Sequence, residues 1–167
     1  MRVLVTGGTG VLGREVVRRL RDRGAEVRVL VRGADRSGPG YVRGDLETGE
    51  GLAEAVAGVD VIVHCASATD YRRPERDVAQ AKRLLSAVGD ARPHVIYISI
   101  VGVDRVRFGY YRAKLATEQL IAESGLPWTV LRTTQFHDLV LLALMLLTKG
   151  PVAVVPRGFR AQPVDTG

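Results

Sequence analysis

Residues 5–13 read VTGGTGVLG: an apolar run halts at Thr6, and glycines follow at positions 7, 10 and 13, with Gly8 and Thr9 between them. The run before the loop, RVLVT (2–6), has strand composition, and the run after it, GVLGREVVRRLRDRG (10–24), has helical periodicity. Leu12, Val16, Val17 and Leu20 share one face of that helix, and Gly24 closes it. A strand, a glycine turn and an amphipathic helix in immediate succession form an anion cradle. Glycine permits the tight turn and lets backbone N–H groups approach a pyrophosphate, and the helix N-terminus adds partial positive charge. A glycine triplet alone is weak evidence, but its position between the first strand and the first helix gives it weight.

The same alternation continues outward along the chain. EVRVLVR (26–32), a short YVRGDL (41–46), VDVIVHCAS (59–67), PHVIYISI (93–100) and PWTVLR (127–132) read as strands. GEGLAEAVAG (49–58), PERDVAQAKRLLSAVG (74–89) and GYYRAKLATEQL (109–120) read as the helices between them. TQFHDLVLLALMLLTKG (134–150) is expected to be a last helix and PVAVVP (151–156) a last short strand. Near-continuous Val/Ile/Leu strands separated by helices require a parallel sheet covered on both faces, and right-handed crossovers make it a doubly wound α/β fold. The sequence shows no internal repeat and no linker, so 1–167 reads as a single domain.

Composition narrows the function. Apolar residues make up 46% and charged residues 25%, ordinary values for a globular chain. All but three of the 24 basic residues are arginine, the exceptions being Lys82, Lys114 and Lys149. The net charge is +6, but the arginines are scattered among acids with no basic stripe interleaved with aromatics, so no nucleic-acid partner is expected. Cys65 is the single cysteine, which excludes an internal disulfide and points to a reducing compartment. The strand-like opening leaves no room for a signal peptide, and LVLLALMLL (139–147) is well short of the ~20 residues a membrane span needs. A cytoplasmic protein with no membrane partner is therefore expected. His64, His94 and His137 have no metal-ligand spacing.

The TGGTGVLG loop resembles that of the extended and atypical short-chain dehydrogenase/reductase superfamily. HCAS (64–67), YISIVGVD (97–104) and YYRAKLATEQLIAESGLPWTVLRTTQF (110–136) resemble its NmrA-like, NAD(P)H-binding branch. The likeness runs the whole length, and it implies a Rossmann-like domain. It further implies cofactor contacts from Gly7, Thr9, Gly10, Val11, Leu12 and Gly13 in the loop, and from Asp45, Leu46, Cys65, Ala66, Ser67, Lys114, Thr133 and Thr134 beyond it. Asp45 matches the position that holds the adenine amino group, and a turn-capping role for it stays open. Thr134 is equally readable as a helix N-cap. Gln135 and Phe136 fall in the segment that flanks nicotinamide and substrate in similar proteins.

The end of the second strand separates the two cofactors. Sites for NAD commonly carry Asp or Glu there to bind the ribose 2′-hydroxyl. This sequence has VLVR, so Arg32, assisted by Arg14, is the candidate partner of a 2′-phosphate and NADP is expected over NAD. A solvated surface arginine is the alternative.

Tyr110 and Lys114 lie four residues apart on one helical face. With Ser99 they match the superfamily's Ser–Tyr–Lys set, which the resemblance implies as catalytic in reversible hydride transfer. In that reading Tyr110 is the general acid and Lys114 lowers its pKa and holds ribose. Ser99 polarises a carbonyl, and Tyr111 packs or lines the pocket. The expected function is an NADP(H)-dependent oxidoreductase of a small carbonyl or alcohol. A non-catalytic NAD(P)-binding regulatory or sensor protein and a cofactor-free structural fragment are the alternatives. Relatives continue past FRAQPVDTG (159–167), so 150–167 is read as the start of an incomplete substrate region. The 139–147 helix is expected to be covered by a partner copy or to impair solubility.

Overall fold

The structure is a computed structural model that describes residues 1–33, 38–67 and 73–134, the backbone at 148–149 and 152–153, and Val164. Six parallel strands form one sheet: β1 (Arg2–Thr6), β2 (Glu26–Val31), β3 (Tyr41–Arg43), β4 (Val61–His64), β5 (His94–Ile100) and β6 (Trp128–Thr133). Their order is β3-β2-β1-β4-β5-β6. The helices between them are α1 (Val11–Asp22), α2 (Leu52–Val56), α3 (Glu75–Ala87) and α4 (Gly109–Ala122). A separate antiparallel pair joins β7 (Thr148–Lys149) to β8 (Val152–Ala153). The expected helix at 134–150, with its LVLLALMLL run, and most of the expected strand at 151–156 lie outside the described residues, as do Gln135 and Phe136.

Strand pleating sorts the core into two layers. Val3 and Val5 point to the α1 side, where they pack with Val17, Val27, Val29, Val31 and Val63. Leu4 between them points to the opposite side and joins Leu30, Leu52, Ala55, Val56, Ile62 and Leu84 under α2 and α3. Each buried valine, leucine or isoleucine among them contributes about 1.5–3 kcal/mol over its exposed state. α1 ends as its sequence predicts: Gly24 takes φ +76° and its N–H donates to the Arg21 carbonyl at 2.9 Å. α3 begins directly after Pro74 with Glu75 and Asp77 in its first turn, where acids meet the positive helix end.

Two strands are shorter than their apolar runs. β4 stops at His64; Cys65 still donates its N–H to the Thr6 carbonyl at 3.1 Å, and the chain then leaves the sheet. β3 covers only Tyr41–Arg43 because Gly44, Asp45 and Leu46 turn back, with Asp45 N–H bonded to the Glu50 carbonyl at 2.9 Å. In both places the residues freed from the ladder are those assigned to the cofactor. The strand order reverses between β1 and β4, which opens a crevice at their carboxyl ends. Among the described residues, no helix is long and apolar enough to cross a membrane.

Candidate functional site

The glycine loop is built by close backbone approach. Gly7 has φ +67°, and a Cβ there would lie 2.6 Å from the Ala66 nitrogen, so the loop is pressed against the chain leaving β4. A Cβ on Gly13 would lie 2.1 Å from the Gly7 carbonyl oxygen, so the first turn of α1 sits directly on the loop. Within the turn, Gly10 N–H donates to the Gly7 carbonyl and Arg14 N–H to the Gly10 carbonyl, each at 3.0 Å. α1 has Gly10 at its N-cap, no side-chain cap and no acid in its first turn. Its leading N–H groups and positive end are thus left to an external anion, which is what a dinucleotide pyrophosphate fits.

A cavity of about 630 Å³ opens over this loop. Of the residues assigned to the cofactor, Gly7, Thr9, Gly10, Arg32, Asp45, Leu46, Cys65, Ala66 and Ser67 line it. Val11, Leu12, Gly13, Lys114, Thr133 and Thr134 do not. Gly13 acts from behind, by allowing the helix to seat. Asp45 serves the local turn as well, since its Oδ1 accepts the Glu47 N–H at 2.8 Å.

Sequence reasoning missed Arg76 and Gln80, which α3 brings to the same wall. Their i, i+4 spacing was the available signal. Both donate to Glu47 Oε1, at 2.7 and 2.9 Å, and together they hold that carboxyl below the usual carboxylate range.

The second cluster stands at the edge of this cavity. The Tyr110 hydroxyl lies 3.2 Å from Ser67 Oγ, and Ser67 donates to Asp77 Oδ2 at 2.7 Å. Lys114 is 4% exposed; its Nζ donates to the Ile98 carbonyl at 3.3 Å and lies 4.0 Å from Asp77 Oδ2. The same ammonium sits 4.8 Å from the Tyr97 ring centroid and 5.7 Å from that of Tyr110, a cation–π arrangement. Tyr111 meets Tyr110 edge-on at 6.4 Å between centroids, the packing role assigned to it. Ser67 thus both lines the cavity and meets Tyr110.

Burial governs the charges here. It lowers the Lys114 pKa, and nearby Asp77 opposes that shift. Burial also pushes the Cys65 thiol up to about 12 and holds His64 down to about 3, so both are neutral near pH 7. His64 is paired through Nδ1 to Thr6 Oγ1 at 2.6 Å and stacks on Tyr97. Ser99 is 1% exposed, and its hydroxyl, like that of Thr134, has no hydrogen-bond partner among the described residues. Thr133 donates to the Ser99 carbonyl at 3.4 Å, which ties the ends of β5 and β6 together. The described contacts thus bring Ser67 to the Tyr110 hydroxyl, while the buried Ser99 hydroxyl bonds to neither. No group of acids, histidines and cysteines among the described residues could hold a metal ion.

A doubly wound parallel sheet whose first crossover presents an uncapped glycine loop to a crevice of this size defines a dinucleotide-binding domain. The chain belongs to the NAD(P)H-binding family, whose model matches residues 7–139. It is 32% identical over 153 residues to the photosystem II assembly factor Ycf39 of Cyanophora paradoxa, covering 83% of this chain and 46% of that protein. It is 33% identical over 156 residues to the 4-hydroxy-2-methyl-3-oxo-4-farnesyl-3,4-dihydroquinoline-1-oxide ketoreductase of Stigmatella aurantiaca, covering 76% of this chain and 47% of that enzyme.

Among solved structures, a short-chain dehydrogenase/reductase superfamily protein of Agrobacterium tumefaciens with bound NAD superposes with a TM-score of 0.67. It is 27% identical, and the match covers 82% of this chain and 50% of that one. The Citrobacter triphenylmethane reductase complexed with NADP(H) shares the fold at a TM-score of 0.71, with 24% identity over 84% of this chain and 52% of that one. The chain spans about half the length of the curated relatives it matches.

Proposed function

We propose that this chain carries the cofactor half of an NADP(H)-dependent reductase or dehydrogenase acting on a small carbonyl or alcohol. The observation that carries the reading is the meeting of Tyr110 with Ser67, 3.2 Å apart, at the rim of the dinucleotide cavity and beside a buried lysine. Similar proteins include a ketoreductase, which supports the reaction class. Arg32, on the cavity wall after β2, is the residue we assign to a 2′-phosphate.

When bound, the nicotinamide supplies or accepts the hydride; the chain's own residues handle the proton and the geometry. Tyr110 donates its hydroxyl proton to the carbonyl oxygen in reduction and recovers it in oxidation. A free tyrosine titrates near ~10, and the Lys114 ammonium beneath the ring stabilises the phenolate and brings proton transfer closer to neutral pH. Ser99 and Thr134, with unpartnered hydroxyls at the carboxyl ends of the strands, are assigned to orient the carbonyl and the nicotinamide side of the ligand.

One observation favours a second reading, a dinucleotide-binding protein without turnover. Ser99, which the catalytic reading assigns to the carbonyl, is sealed at 1% exposure. Two relatives bear the name of an assembly factor.

A titration of the 167-residue chain with NADPH and with NADH, followed by a carbonyl panel with wild type and Tyr110→Phe, decides between the two. The catalytic reading expects NADPH binding in both proteins and turnover only in wild type. Binding without turnover of any carbonyl selects the second reading, and failure to bind either nucleotide rejects both.

A further inference from the structure

We propose that Asp77 is the positioning residue of this site: its carboxylate holds the buried Lys114 ammonium and the Ser67 hydroxyl at once, and through Ser67 it sets the place of the Tyr110 hydroxyl. Asp77 sits on α3, the helix before β5, and its side chain is 5% exposed. A carboxylate that deep is costly to bury without a cation and donors. Ser67 donates to Oδ2 at 2.7 Å, and the Lys114 Nζ stands 4.0 Å from the same oxygen. One oxygen thus faces both arms of the cluster.

The other groups near the Lys114 amine act on its charge less than Asp77 does, Glu118 included. His64 and Cys65, from β4 and the loop after it, are neutral near pH 7. Tyr97 from β5 offers a ring face, and Tyr110 on the lysine's own helix offers another. Glu118, one turn further along α4, is taken by Arg132, whose Nε and NH2 nitrogen donate to it at 3.0 and 2.7 Å. Asp77 is the remaining carboxylate within ion-pair range of the amine among the described residues. Burial lowers the Lys114 pKa, and the facing Asp77 carboxylate opposes that shift. The Ser67 hydroxyl, having given its proton to Asp77, presents oxygen lone pairs to Tyr110 and so orients the phenol as a donor.

The inference deepens the proposed function, but its test needs neither cofactor nor turnover. The chain has three lysines, at 82, 114 and 149, so side-chain amine signals from lysine-labelled protein can be assigned with a Lys114→Arg variant. Titration of those signals in wild type and Asp77→Asn reads the charge on Lys114 directly. Loss of an opposite charge at this distance should weaken proton binding at Lys114 by at least ~tenfold. A change below about twofold in folded Asp77→Asn overturns the proposal.

Should Asp77→Asn not fold, Asp77→Ser and Asp77→Glu stand in its place, read by the same lysine amine signals. Asp77→Ser, which removes the charge, should weaken proton binding at Lys114 at least ~tenfold relative to Asp77→Glu, which keeps it. Equal amine titrations in the two variants overturn the proposal. Coupled titrations in a protein that reduces no carbonyl would uphold Asp77 and reject catalysis. Turnover with uncoupled titrations would do the reverse.

Discussion

Replacing Gly13 by alanine sets helix propensity against packing. Gly13 lies in the first turn of α1, and alanine is favoured over glycine in a helix by about 1 kcal/mol. Propensity alone therefore has Gly13→Ala stabilise the protein. The structure reverses the sign. The new Cβ would stand 2.1 Å from the Gly7 carbonyl oxygen and 2.7 Å from both the Gly7 carbonyl carbon and the Gly8 Cα. Real Cβ atoms keep at least 3.0 Å, so something must give by most of an ångström, and all three neighbours are backbone. No side chain can swing aside.

Overpacking of this kind costs about 1–3 kcal/mol, and contact with backbone alone places it near the upper end. After the propensity gain is subtracted, a net loss of about 2 kcal/mol remains. For a domain of this size that lowers Tm by roughly 4–8 °C. The displaced loop also moves the N–H groups at the α1 terminus. Losing one hydrogen bond to a charged group, about 1.5–3 kcal/mol, weakens dinucleotide binding roughly 10- to 100-fold. Thermal unfolding followed by circular dichroism, with nucleotide titration on the same samples, reads both effects. Gly24→Ala is the control: nothing lies within 4 Å of its Cβ, and only its φ of +76° is strained, so it should lose about 1–2 kcal/mol and keep full binding. A Gly13→Ala protein with raised Tm and unaltered binding would show that the backbone contacts at Gly13 do not constrain the loop.

Other expectations follow from the same geometry. Arg32→Ala should weaken NADPH binding at least ~tenfold and leave NADH nearly unchanged, because it removes a charge-assisted contact to the 2′-phosphate alone; equal loss for both nucleotides in parallel titrations counts against that role. Tyr110→Phe should abolish turnover while nucleotide affinity stays within about twofold, since one phenolic oxygen is removed and the cavity lining is untouched. His64 gives a pH dependence. Its folded pKa is held down to about 3 from an ordinary value of 6.5, so the unfolded chain takes up a proton first as pH falls. Its contribution is complete above pH 6.5 and is lost progressively toward pH 3, and urea unfolding across that window should show a one-proton slope that His64→Asn flattens.

The sequence reveals most where structure is local. The VTGGTGVLG turn, the C-terminal glycine of α1 and the start of α3 at Pro74 are decided by residues within a few positions of each other, and each is observed as expected. Arg32 on the cavity wall was legible from its place at the end of the second strand, whereas Asp45 and Cys65–Ser67, which also line the cavity, were assigned through the family resemblance. The shared face of Tyr110 and Lys114 followed from helical spacing.

What the pattern hides is which side chains meet across elements. Asp77 reads from sequence as a first-turn acid, a role its place after Pro74 fully accounts for. Nothing near it in the chain indicates that α3 packs against α4 so as to bury its carboxylate beside Lys114, 37 positions away. The Ser67–Tyr110 contact spans 43 positions and exists only because β4 ends at His64 and releases Ser67 over α4. Ser99, by contrast, sits at the strand position its pattern assigns, and pleating puts it on the same buried face as Tyr97, at 1% exposure. A motif specifies residue types along one chain direction, whereas the charge on Lys114 depends on a carboxylate from another helix. For that reason two chains with the same tyrosine–lysine spacing can differ in whether the lysine is charged, and a motif match at Tyr110–Lys114 gains chemical content only once the residue facing it from α3 is known.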